Sequence, residues 1–187
     1  MPPARNLDPG YAVVYPNRRK IVSRATKAIV ILILLASVGL ILIVTIGAWS
    51  KLQGMQPVNF AWCIAYLLIA VFVARWARGL LPIAAGLALL LLIIALIAGT
   101  GVSGASWFDR SYAGFGAARD LFGGPGLSPD TTGLVVLLIA PVQFLLIVFA
   151  MGGFAQRWNV EAEVPIDEAR RGGHRPVASH PGRPAAA

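Results

Sequence analysis

Few residues of this 187-residue chain carry groups that do chemistry, and their spacing denies them the usual partners. The one cysteine, Cys63, stands inside an apolar run. It can form no intramolecular disulfide, no CxxC redox pair and no multi-thiolate metal site. It reads as a small buried hydrophobe. His174 and His180 lie in a Pro- and Gly-rich tail, at a separation that does not hold a metal. No histidine falls within an apolar run, where a haem-binding bundle needs a pair. All eight acidic residues also fall outside these runs. A proton-coupled carrier needs a carboxylate inside a span, and an intramembrane protease needs a nucleophile with a base. Neither set is present. Gly123, Gly124 and Gly126 lack the full GxxxxGK[ST] or GxGxxG pattern, so they make no phosphate cradle. The expectation is a non-catalytic protein with no cofactor and no metal.

The polar groups left inside the apolar runs are few. Pro141 removes a backbone hydrogen bond from the last run and predicts a kink there. Gln143, one turn or less from the freed carbonyls, can satisfy one of them or reach a neighbouring helix. The alternative is a polar point on a solute path, with Ser37, Thr45 and Thr100 as its companions. The structural reading is preferred, because one glutamine is a thin basis for a path.

These residues must be carried by four apolar runs, near 28–49, 58–76, 80–102 and 133–156. A helix needs about 20 mostly apolar residues to cross the hydrocarbon core, and each run meets that length. Hydrophobic residues make up 57% of the chain without its glycines. A soluble domain reaches about 45–50% with glycine counted. The fold class is therefore an all-α integral membrane bundle of four helices. The first run is too long for a signal-peptide core and is read as a retained span. Small residues recur every fourth position (Ala61/Ala65, Ala70/Ala74, Ala84/Ala88, Ala95/Gly99), and such pairs let helices pack closely in lipid.

Charge sets the orientation. Of the 16 basic residues, thirteen lie in the N-terminal segment, the 75–79 loop and the C-terminal tail. Three lie in the other two loops. Basic residues collect on the cytoplasmic side, so both termini are expected inside. An even number of spans requires the termini to share a side. The net charge of +8 is read as this bias rather than as a nucleic-acid footprint. Arginine outnumbers lysine, and alanine, glycine and proline are abundant, which suits a bacterial plasma membrane protein from a GC-rich genome.

Outside the spans, 1–27 form a basic N-terminal segment. Its cluster Arg18, Arg19, Lys20, Arg24 and Lys27 is a topology determinant that can also contact anionic lipid. Residues 11–15 suit a short extended contact, and helix is expected from about Asn17 straight into the first span. The loop 103–132 is the longest. Phe108, Tyr112, Phe115 and Phe122 recur in it at helical spacing, with Ala118 on the same stripe. That predicts a short amphipathic interfacial helix, read either as packing on the bundle or as a surface for a partner. Residues 157–187 are expected to form a disordered cytoplasmic tail.

The leading functional expectation is an accessory or scaffolding subunit of a larger membrane assembly. Its partners would be the lipid bilayer and either another membrane protein or copies of itself. The alternatives are a small oligomeric channel or transporter, and an outer-face enzyme using Asp109, Asp120 or Asp130.

Overall fold

The computed structural model describes residues 10–52, 54–100, 117–171 and 178–179. Among the described residues four helices are long and apolar enough to cross a membrane. They are α1 (Ile21–Gly47), α2 (Gln56–Ala74), α3 (Leu81–Thr100) and α4 (Pro129–Ala155). Three of them, α1, α2 and α4, begin earlier than the apolar runs do. α1 takes in Arg24 and Lys27, whose long side chains keep their charges at the helix end. α4 starts at Pro129 because the Ser128 hydroxyl accepts from the Thr131 N–H, and Asp130 favours the first turn. The helix does not run straight from Asn17. A 3-10 turn over Pro16–Arg19 comes first, and Lys20 is extended before α1 begins.

α1 and α4 form the central pair of the bundle, with α2 packed on α1 and α3 packed on α4. α2 and α3 follow each other in the chain yet scarcely touch. The α3–α4 contact is close because α3 is small on that side. Ala84, Ala88 and Ala95 are buried, and a Cβ at Gly99 would come within 3.2 Å of the Leu137 Cα. The pairs Ala84/Ala88 and Ala95/Gly99 thus lie at a helix contact. The α2 pairs do not, since Ala61 and Ala74 are exposed. Large exposed side chains such as Leu32, Ile64, Leu90 and Phe144 cover the outside of the bundle, where lipid is the matching solvent.

The loop that returns to α4 serves the end of α1. Helices leave their last carbonyls without partners. Here the Leu121 N–H donates to the Ile46 carbonyl at 3.0 Å and the Leu127 N–H to the Gly47 carbonyl at 2.8 Å. The backbones approach so closely that a Cβ at Gly126 would strike the Gly47 carbonyl. Most of the expected amphipathic helix, including Phe108, Tyr112 and Phe115, lies outside the described residues. Its C-terminal end does not form. Ala118 and Phe122 are not helical, because the Asp120 carboxylate accepts the Phe122 and Gly124 N–H groups and turns the chain locally.

The terminal segments depart most from expectation. Strand β1 (Tyr11–Val14) pairs antiparallel with β2 (Ala162–Pro165), Val13 opposite Glu163. On its other side β1 meets β3 (Ala178–Ser179), giving the order β2-β1-β3. A short helix, α5 (Ile166–Arg171), lays Ala169 on Ala12 and Val14. The expected disordered tail is therefore ordered from Arg157 to Arg171. Ala162, Val164 and Ile166 alternate with exposed residues, which is strand periodicity, and the burial they need comes from β1.

Candidate functional site

Three polar or open places in the bundle are candidates, and each is built by contacts far apart in the chain. The first lies in the middle of the spans. Gln143 is fully buried on α4. Its Oε1 accepts from the Tyr66 hydroxyl of α2 at 2.7 Å, and its Nε2 donates to the Ser37 Oγ of α1 at 2.9 Å. Ser37 in turn donates to the Ile33 carbonyl at 2.8 Å. Every donor points the same way, from α2 through α4 to α1. Gln143 thus reaches neighbouring helices, one of the two structural outcomes expected for it. Pro141 sits one turn or less away within an unbroken α4. Thr45 is likewise committed. It donates to the Ile41 carbonyl at 2.7 Å and accepts from the Asn59 amide at 3.0 Å. Of the side chains proposed to line a solute path, Ser37, Thr45 and Gln143 are committed to hydrogen bonds within the bundle, and the Thr100 side chain lies outside the described residues. Cys63 is buried on α2.

The second place is the end of the bundle that carries both terminal segments. Trp158 is fully buried there and meets Trp76 edge-on, ring centroids 5.3 Å apart. Its Nε1–H donates to Gln156, whose amide donates to Thr26 on α1. The basic cluster divides into two roles. Arg18 donates from Nε to the Trp158 carbonyl at 3.2 Å and from Nη2 to Asn159, while its guanidinium lies 3.8 Å above the Tyr15 ring. Lys27 donates to the Ala74 carbonyl and sits 4.0 Å from the Trp76 ring centre, a cation–π contact. Arg19, Lys20 and Arg24 are exposed. Trp76 and Arg157 adopt left-handed backbone (φ 66 and 49). That conformation costs a non-glycine residue roughly 1–2 kcal/mol, and here the packing of Trp158 holds it in place.

The third place is a cleft of about 400 Å³ at the opposite end, between the separated α2 and α3. α1 and α4 form its floor. Its walls are apolar, from Ile41 on α1, Leu91 on α3 and Ile139 on α4. Lys51, Asn59 and Thr132 are its polar contributors. Met55, just before α2, and Ile94 on α3 line it and are each 48% exposed.

Of the aromatic surface expected in the 103–132 loop only Phe122 is described, and it stands 85% exposed in a turn. Asp120 spends its carboxylate on backbone N–H groups of that turn, and Asp130 lies in the first turn of α4. The N–H groups of the glycine-rich turn are correspondingly engaged within the chain. Sequence reasoning missed Tyr66, Asn59 and Trp158. One signal was available for Tyr66, because a tyrosine deep in a span departs from the preference of that side chain for membrane interfaces. No family model matches this chain, and neither does any curated protein or solved structure.

Proposed function

We propose that this chain is a non-catalytic, multi-pass protein of the plasma membrane, with both termini in the cytoplasm, and that it serves as an accessory or scaffolding subunit of a larger membrane assembly. The observation that carries the reading is the closed polar set within the spans. Tyr66, Gln143 and Ser37 satisfy one another, and Thr45 and Asn59 do the same. Polar groups in a solute path must be open to exchange with the solute, whereas these act as interhelical ties. The thirteen-to-three division of basic residues supports the orientation. The meeting of β1 with β2 accords with termini on one side.

The aromatic residues Phe108, Tyr112, Phe115 and Phe122 are the proposed partner surface, since aromatic side chains dominate binding hot spots. The test is purification in mild detergent with mass spectrometry of what travels with the chain, followed by substitution. Changing Phe108, Tyr112 and Phe115 together to serine should release a stoichiometric partner from a folded bundle, while Gln143→Leu should retain it. A folded Gln143→Leu protein that loses its cellular role, beside loop variants that keep theirs, would overturn the scaffold reading in favour of transport.

A further inference from the structure

We infer that the cleft between α2 and α3 is a binding site for one anionic phospholipid, its acyl chain between the helices and its phosphate at Lys51. The inference goes beyond the scaffold reading and does not depend on which assembly the chain joins.

The cleft is amphiphilic along its length. The lining positions on α1 with its C-cap, on α3 and on α4 each cover seven residue steps, from Ile41 to Ala48, Leu91 to Ala98 and Thr132 to Ile139. At 1.5 Å per residue that is a depth of about 10 Å along the helix axes. The deep end is aliphatic. The rim holds Lys51, Asn59 and Thr132. Asn59 donates its amide to Thr45, and Thr132 donates its hydroxyl to the Ser128 carbonyl. The ammonium of Lys51 is the charge left to a ligand, and Lys51 is the one charged residue of the lining among the described residues.

Position favours a lipid over a solute. Lys51 lies in the short 3-10 turn Trp49–Lys51 that joins the end of α1 to α2, beyond the apolar runs. Trp49 beside it packs on Phe60 with ring centroids 6.4 Å apart. Indole rings favour the headgroup level, so the ammonium sits where a lipid phosphate sits. Met55, just before α2, and Ile94 on α3 line the cleft and are both half-exposed, Ile94 among the outward-facing apolar side chains of α3. An acyl chain enters laterally from the bilayer without leaving an apolar medium. The volume, about 400 Å³, falls within the range of roughly 300–1,000 Å³ for small-ligand sites.

The test uses the full chain, purified in mild detergent and stripped of lipid. It is titrated with phosphatidylglycerol or with phosphatidylcholine of the same acyl chains, and bound lipid is counted by native mass spectrometry. The wild type should retain one phosphatidylglycerol in preference to phosphatidylcholine. Lys51→Gln changes an exposed side chain and should cut that preference about fivefold, the worth of one lysine at an anionic surface. Ala98→Phe fills the cleft from α3 and should abolish retention of both lipids. Val148→Phe, on the exposed face of α4, should leave retention unchanged. Equal retention of the two lipids by the wild type overturns the assignment. So does a preference untouched by Lys51→Gln, or lipid retained by a folded Ala98→Phe chain. Occupation of the cleft by a protein segment would appear as a wild type that retains neither lipid, and also overturns it.

Discussion

Replacing Gln143 by leucine removes both interhelical bonds at the centre of the bundle, and its cost can be worked group by group. The two side chains are of similar size, so packing changes little. Interhelical polar contacts in membranes average about 0.6 kcal/mol each and reach about 1.7. Ser37 keeps a partner, because it already donates to the Ile33 carbonyl. Tyr66 does not. Its hydroxyl loses the acceptor at 2.7 Å and is left in a fully buried place, at a cost of about 1–3 kcal/mol. The expected loss for Gln143→Leu is therefore about 2 kcal/mol. Tyr66→Phe strands the Gln143 carbonyl in the same way. With both changes made, neither group remains to be stranded. The double variant should fall short of the sum of the singles by about 1 kcal/mol or more, and it can exceed Gln143→Leu alone in stability. Reversible unfolding in mixed micelles, read by tryptophan fluorescence against denaturing-detergent fraction, gives all four values. Additivity within about 0.3–0.5 kcal/mol would refute a shared Tyr66–Gln143 bond.

Further outcomes follow from other parts of the chain. Gly126→Ala should destabilise the bundle by roughly 1–3 kcal/mol, because its Cβ meets the Gly47 carbonyl and the Ala118 backbone. Gly86→Ala, open on α3, should be neutral or stabilising by up to about 1 kcal/mol, and the same unfolding assay compares them. Val14→Asp, at a residue only 2% exposed, should release β2 and α5, seen as rapid proteolysis within 162–171 while the four helices persist. In a Cys63→Ser background, a membrane-impermeant thiol reagent on intact cells should label Phe122→Cys and spare Glu168→Cys. The reverse pattern would refute the proposed orientation.

The spans were legible because a long uncharged apolar run has no other stable place. The basic bias was legible because it is a count. Contacts between spans were not. Gln143 could be flagged as a polar residue needing a partner, but Tyr66 is 77 residues away, and no local pattern relates them. The basic cluster looked uniform because residue type is all that a sequence displays. Arg18 is separated from Arg24 by where the chain turns at Lys20, which aims one at Trp158 and leaves the other exposed. The 162–165 strand was hidden by its setting. Its period-two alternation is short, its surroundings are rich in charge and proline, and average composition outweighed it. The cleft was invisible for a further reason. It exists because α2 and α3 stay apart, and a gap between helices leaves no mark on either one.

The sheet that joins the two terminal segments has a consequence for the order of synthesis. Tyr15 and its partner Glu161 are 146 residues apart. At about 5–20 residues per second, β1 waits roughly 7–30 s for β2 to be made. Through that interval Ala12, Val13 and Val14 present an unpaired strand edge of the kind that recruits wrong partners. A chain stalled before residue 162 keeps that edge open. A fault in α4 is thereby displayed at β1, a strand made before any of the four helices.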